Sequence, residues 1–355
     1  MRRHLMTIAV VAALVLVGCS DSEPGSAAAD QPTPTAVSAT TVDPADDSAG
    51  TEVASPTPVE EACSRPAEPG ETERMVEIDG NQRHYILYVP PSYDGTSTGL
   101  LLTLHGSGSS AREQYDNSLL VDVADAGGFI VVAPDAGVTT TVGETGPTGG
   151  VWNVPGVPYV DGSEVDPDAP DDVAFIDELV DGLEAEFCIE SVATSGTSGG
   201  GRMSSALGCF SDRIDGIAPV AGLRVSEGCE PAHGVEVVAF HGTDDVINPY
   251  LGGGPPSWGE MTVPEAAAAW ADLNQCGAGP ARTQVSDSVE LDTWTECLDG
   301  VEVRLYTVNG GGHNWPGGVD AALARPEFAA VVGVTTQEID AGELMWERFQ
   351  LLGRP

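Results

Sequence analysis

One serine stands where the chain can expose a nucleophile. Gly196-Thr197-Ser198-Gly199-Gly200 fits the pattern G-x-S-x-G. The residues before it, 191–195, read as a short strand, and residues 199–209 read as a helix. A serine hydroxyl attacks a carbonyl when a base takes its proton and fixed donors receive the charge that develops on the carbonyl oxygen. The pattern serves that chemistry because a tight strand-to-helix turn lifts the serine oxygen clear, and only small neighbours let the backbone fold so sharply. Gly196 and Gly200 fill the required positions, while Gly199 and Gly201 relax the turn further. An ordinary turn in a chain with 44 glycines would look the same in isolation, so partners for Ser198 have to be found elsewhere.

They stand in a workable order. Val237-Val238-Ala239-Phe240 is an apolar strand that breaks into His241-Gly242-Thr243-Asp244-Asp245. A carboxylate at a strand end can accept the second N–H of an imidazole and stabilise the imidazolium. Asp245 or Asp244 fits, against the plainer reading of a solvated turn pair. Residues 301–308 form a further strand, followed by Asn309-Gly310-Gly311-Gly312-His313. A histidine on a glycine-rich loop after a late strand suits a general base that must reach a serine elsewhere. Upstream, Leu104-His105-Gly106-Ser107-Gly108-Ser109 resembles the H-G-x-x loops whose backbone N–H points at a substrate oxygen. The Ser107 and Gly199 N–H groups would then form the oxyanion hole, at about 3 kcal/mol per donor. Trp152 and Trp315 are candidate walls of a substrate site for an aromatic acyl group or a sugar, or else packing residues.

The elements that must position these residues follow from the apolar pattern. Residues 75–79 and 83–89 read as an antiparallel pair joined through Gly80-Asn81. Residues 100–104 are almost wholly apolar, as in a strand buried on both faces. A helix over 113–126 and a strand over 129–133, stopped by Pro134, come next. Residues 135–168 read as a long loop rich in Gly, Pro and acids, and loops of that length are functional or disordered. A helix over 171–187 opens on Asp171 and Asp172, favourable for capping and for the helix dipole. Strands over 217–220 and 235–240, a helix over 264–274 and a closing helix over 338–352 complete the series. This β-α-β-α order implies an α/β fold with a mostly parallel central sheet and helices on both faces. The acidic stretch 161–172 lacks an EF-hand pattern and reads as solvated. The chemistry needs no cofactor and no metal.

The N-terminus sets the compartment. Arg2 and Arg3 precede an uncharged apolar run, residues 8–17, too short to span a bilayer comfortably and typical of a signal-peptide core. Leu16-Val17-Gly18-Cys19 resembles a bacterial lipobox, so residues 1–18 are expected to be removed and Cys19 to carry a lipid at the outer face of a membrane. Residues 19–62 read as a disordered acidic tether rich in Pro, Ser, Thr and Ala, and residues 63–355 as one large domain. The chain has 14 Lys+Arg against 55 Asp+Glu, a net charge of −41, and every one of the basic residues is arginine. Such a charge repels nucleic acid and anionic lipid, and excludes them as partners. It marks a salt-adapted surface or simply a solvated one. Six further cysteines in an exported chain imply disulfides. Cys276 and Cys297 bracket a local stretch and form the first pair, Cys209 and Cys229 the second, which leaves Cys63 with Cys188.

Two longer motifs make the resemblance specific. His241-Gly242-Thr243-Asp244-Asp245 followed by Pro249-Tyr250 is similar to H-G-T-x-D-x-x-x-P-Y, and Gly310-Gly311-Gly312-His313-Asn314-Trp315-Pro316-Gly317 to G-G-G-H-x-W-P-G. Both resemble the polyhydroxybutyrate depolymerase/feruloyl esterase family of α/β-hydrolases, which includes exported lipoprotein esterases. Leu104-His105-Gly106, Trp152-Asn153, Asp171-Asp172-Val173 and the Ser198 turn align in order, over roughly residues 72–352. The resemblance implies that the triad acid is Asp245, and that the sheet has eight strands. It implies a serine carboxylesterase acting on feruloylated, acetylated or short-chain esters, small or polymeric, through an acyl-enzyme. A polyhydroxyalkanoate depolymerase is the alternative, which a polymer-binding module would favour; the sequence has none. An envelope-binding protein on an inactive scaffold would lack a triad member. Departures from the family pattern stand at Gly201-Arg202-Met203 and in residues 252–260, a loop expected to shape the cleft.

Overall fold

Thr98–Leu104 is buried at every position, which a strand tolerates only when both faces of its sheet are covered. Its side chains divide by the period of two that a strand imposes. Leu100, Leu102 and Leu104 enter one apolar layer with Phe175, Met203 and Trp270. Leu101 enters the other, with Tyr115, Ala124 and Met345. The computed structural model describes residues 63–78, 80–141, 148–159, 162–166, 168–320 and 329–353, all within one compact unit, Glu60–Pro355. The signal segment, Cys19 and the whole tether, residues 19–62, lie outside the described residues.

The strands in chain order are β1 Gly70–Ile78, β2 Asn81–Val89, β3 Thr98–Leu104, β4 Ile130–Pro134, β5 Val138–Thr141, β6 Thr148–Val151, β7 Ile189–Thr197, β8 Gly216–Val220, β9 Glu236–Gly242, β10 Ala278–Gln284, β11 Val289–Thr295 and β12 Val303–Val308. The helices are α1 Ala111–Ser118, α2 Leu120–Gly127, α3 Asp172–Glu186, α4 Gly199–Phe210, α5 Val263–Leu273, α6 Ala329–Val332 and α7 Ala341–Phe349. The main sheet runs β1-β2-β4-β3-β7-β8-β9-β12-β11-β10. From β4 to β12 all pairings are parallel, and antiparallel strands finish both sides. Helices α3, α4 and α5 supply one apolar layer and α1, α2 and α7 the other.

Three expectations need correction. The sheet has ten strands, not eight, because the hairpin β10–β11 extends it beyond β12. Every residue of β10 is exposed and Pro280 stands within it, so no apolar alternation announces the strand. The helix expected over 113–126 is broken at Leu119, whose φ of 56° ends α1 and starts α2. The long loop 135–168 contains a small hairpin of its own, β5–β6. Disulfides join Cys63–Cys188, Cys209–Cys229 and Cys276–Cys297, the three pairs read from the sequence. The first fastens the start of the described chain to the end of α3, the second holds the end of α4, and the third closes the segment that contains β10 and β11.

Candidate active site

Strand β7 runs to Thr197 and α4 begins at Gly199, so Ser198 alone makes the turn. It does so at φ 57° and ψ −112°, a conformation that costs a residue with a side chain about 1–3 kcal/mol and persists only where the surroundings enforce it. The Ser198 N–H donates to the Val220 carbonyl at 2.8 Å, and its own carbonyl accepts from the Arg202 N–H at 2.9 Å. The flanking glycines are required by contact: a Cβ at Gly196 would stand 2.6 Å from the Leu104 oxygen, and one at Gly200 would overlap that carbonyl outright. Gly201, one of the departures from the family pattern, has a local reason as well. A Cβ there would come within 2.9 Å of the Gly222 Cα.

The acid and the base leave the sheet side by side. In the parallel pair β9–β12, Gly242 is opposite Val308, and the two following loops are bonded through Thr243 N–H to Val308 O at 3.0 Å and Asp244 N–H to Gly311 O at 2.9 Å. Asp245 and Asp244 then diverge. Asp245 is buried, and its Oδ1 accepts the amides of Ile247 and Asn248, each at 2.8 Å. Its Oδ2 faces Nδ1 of His313 at 2.7 Å and Nε2 of His241 at 3.3 Å. Asp244 is exposed. Burial raises the Asp245 carboxyl, but hydrogen bonds and charge from His241 and His313 outweigh it and hold the group well below its usual range. With Nδ1–H given to Asp245, His313 has Nε2 left to act as a base. Ser198, Asp245 and His313 follow β7, β9 and β12, at the carboxyl ends of the parallel strands.

The loop after β3 meets the start of α4. A Cβ on Gly199 would overlap the Ser107 hydroxyl and stand 3.0 Å from the Ser107 nitrogen, so the two amides are neighbours at a helix N-terminus, where N–H groups lack intrahelical partners. His105 locks this loop. Wholly buried, it donates from Nδ1 to the Gly106 carbonyl at 2.8 Å and accepts the Ala136 N–H at Nε2 at 3.1 Å. Burial pushes its ring toward the neutral form, as that bonding pattern requires. The small hairpin braces the loop from outside, with Gly108 N–H and Gly150 O bonded at 2.8 Å.

A pocket open to solvent adjoins these amides, lined by Ser107, Gly199, Trp152, Tyr159, Arg202 and Ser257 among others. Trp152 donates its indole N–H to the His105 carbonyl at 2.8 Å, so it both supports the loop and walls the pocket. Its segment is anchored by Asp172, which is wholly buried and accepts from Arg83 at 2.7 Å, Asn153 N–H at 2.8 Å and Gly137 N–H at 3.2 Å. Trp315 is placed otherwise: it is buried in the second apolar layer with Tyr115 and Phe240, and does not line this pocket. The distinctive loop 252–260 reaches the pocket through Ser257. Sequence reasoning treated His105 and His241 only as letters of a motif, and Arg202 only as a departure from one. His105 is set by a partner outside its motif, Ala136, and His241 by the Asn248 carbonyl, at an unspecified position of its own motif. Among the described residues, no group of three or more His, Cys, Asp or Glu side chains gathers that could hold a metal ion.

No family model matches the chain. NocK, a candidate esterase of Nocardia uniformis subsp. tsuyamanensis, is 30% identical over 367 residues, covering 96% of this chain and 96% of its own. Feruloyl esterase B of Piromyces equi is 30% identical over 246 residues, 65% of this chain and 42% of that longer protein. Among solved structures, an acetyl xylan esterase from Aspergillus awamori is 15% identical, with 68% of this chain and 94% of that chain covered and a TM-score of 0.49.

Proposed function

Because the chain belongs to the feruloyl esterase family of α/β-hydrolases and is a carboxylic ester hydrolase, we propose that it works through an acyl-enzyme on Ser198, with His313 as general base and Asp245 as its partner. The observation that carries the proposal is the 2.7 Å bond between His313 Nδ1 and Asp245 Oδ2, at the same end of the sheet as the strained Ser198. In this mechanism His313 Nε2 takes the Ser198 proton as Oγ bonds to the ester carbon. The Ser107 and Gly199 amides hold the resulting oxyanion. Collapse of the tetrahedral adduct breaks the bond to the alkoxide, which leaves with the proton from His313. Water, activated by the same imidazole, then attacks the acyl-enzyme and releases the acid and Ser198.

The substrates in this reading are feruloylated, acetylated or short-chain esters, with Trp152 as one wall of the site. Three disulfides support an oxidising compartment outside the cytoplasm, where the proposed lipid on Cys19 would hold the enzyme at a membrane. Incorporation of labelled palmitate that Cys19→Ala abolishes is the expected result for the anchor. For the chemistry, hydrolysis of 4-nitrophenyl acetate, 4-nitrophenyl butyrate and methyl ferulate is compared between wild type and Ser198→Ala, with a polyhydroxybutyrate film as the comparison polymer. The substitution lowers every wild-type rate by several orders of magnitude. Equal rates in the two proteins refute the nucleophile, and turnover of the film alone replaces the small-ester reading by the depolymerase one.

A further inference from the structure

Two buried arginines of this chain are treated differently by the fold. Arg83 is 6% exposed and has the Asp172 carboxylate at 2.7 Å. Arg202 is 4% exposed, and the one hydrogen bond of its guanidinium among the described residues runs from Nη1 to the neutral amide oxygen of Asn248 at 3.3 Å. No carboxylate forms an ion pair with it among those residues, and Asp245 acts on it only from further away. Arg224 is a second cation close enough to repel it. That residue spends Nη1 on the Ser257 carbonyl at 2.9 Å, and its buried Nε has no partner among the described residues. Burial first, and Arg224 second, push the Arg202 guanidinium down to about 10, so it remains a cation at neutral pH. A buried charge is tolerated when something pairs with it, and among the described residues Arg202 makes a direct bond only to a neutral oxygen.

The position of Arg202 says what the missing partner is. It stands four residues after Ser198 on α4, about 6 Å along the helix, and lines the pocket beside Ser107 and Gly199. We propose that Arg202 is a specificity residue that selects esters carrying a second, ionised carboxylate a few atoms from the scissile carbonyl. That carboxylate docks on the guanidinium while the carbonyl oxygen faces the Ser107 and Gly199 amides. The inference rests on the esterase reading of Ser198 and deepens it. A phenol or a methoxy group would add another neutral acceptor and leave the charge uncompensated, as Asn248 already does.

Arg202 also touches the acid indirectly, since the backbone N–H of Asn248 donates to Asp245. A purely positioning role would therefore lower the rate on all esters alike, and the readout must be a ratio. Monomethyl succinate, glutarate and adipate are compared with neutral methyl esters in which a methyl group replaces the carboxylate, by methanol release. Wild type is expected to favour the anion of at least one length by about ten- to a hundredfold in kcat/KM, the range for a charge-assisted pair. Arg202→Met collapses that ratio, and Arg202→Lys keeps part of it. A second measurement needs no variant: glutarate should inhibit 4-nitrophenyl butyrate hydrolysis by wild type at least tenfold more strongly than the neutral pentanamide. A wild type without preference for any anion, a ratio unchanged in Arg202→Met, or equal inhibition by glutarate and pentanamide overturns the inference. Retention of activity by Ser198→Ala overturns instead the reading beneath it.

Discussion

Replacing Asp245 by asparagine keeps the shape of the side chain and removes its capacity to accept at both ends. The carboxylate receives two backbone amides at Oδ1, each at 2.8 Å, and faces two imidazole nitrogens at Oδ2, His313 at 2.7 Å and His241 at 3.3 Å. An asparagine has one oxygen, so its NH₂ must oppose either the backbone pair or the histidine pair. With the oxygen left on the backbone, the NH₂ meets His313 Nδ1 and forces it to become an acceptor. The ring proton then sits on Nε2, where the Ser198 proton has to go. The imidazolium of the transition state also loses its counter-charge. Together these lower kcat by about 10⁴-fold, equivalent to about 5.5 kcal/mol. The assay is steady-state hydrolysis of 4-nitrophenyl butyrate by wild type, Asp245→Asn and Asp244→Asn, with urea unfolding to show that each is folded. Exposed Asp244 makes no bond to His313, and its substitution should change kcat by less than about twofold, the scale of a surface change. A loss below tenfold in Asp245→Asn, or an equal loss in Asp244→Asn, refutes the assignment.

The same carboxyl has a stability consequence. Its folded pKa is depressed, so its contribution is present above the unfolded value of about 3.9 and is lost as pH falls toward the lower folded value. The difference in unfolding free energy between wild type and Asp245→Asn should narrow below about pH 4, and a constant difference would sink the argument. Gly200→Ala places a methyl group on the Leu104 carbonyl, where neither backbone can yield freely, and should lower stability by about 1–3 kcal/mol or more; an unchanged urea midpoint excludes that contact. Cys63 and Cys188 are 125 residues apart and Cys276 and Cys297 only 21. The loop-entropy relation gives about 5 and about 3 kcal/mol respectively, so the double alanine variant of the first pair should unfold at the lower denaturant concentration. The reverse order would show that native-state strain, not loop closure, dominates.

What could be read in advance was whatever burial or a tight turn writes locally. The Ser198 turn was legible because the glycines it needs stand beside it in one short motif, and β3, β8 and β9 because both their faces are buried. The residues of the acid turn left Asp244 and Asp245 open, since adjacent carboxylates in a turn have the same local pattern. What separates them is that the Ile247 and Asn248 amides turn one inward. The strand β10 was missed because it buries nothing, and β11 because it buries only Val289, Asp292 and Trp294. The break at Leu119 carries neither Gly nor Pro to mark it. Arg202 was visible only as a departure from a family pattern. Its lack of a carboxylate partner is a fact about what surrounds it in space.

The hairpin beyond β12 changes how the molecule meets its own copies. Strand β12 is buried along most of its length, and as a terminal strand it would present an apolar rim of unpaired N–H and C=O groups, a template for another chain. β11 pairs with that rim, and β10, polar and interrupted by Pro280, ends the sheet instead. Proline and charge on an outermost strand discourage pairing between molecules. The opposite rim, β1, carries Glu71, Glu73, Arg74 and Glu77 and is guarded in the same way. An open sheet of ten strands thus ends at both rims on strands whose composition disfavours edge-to-edge pairing.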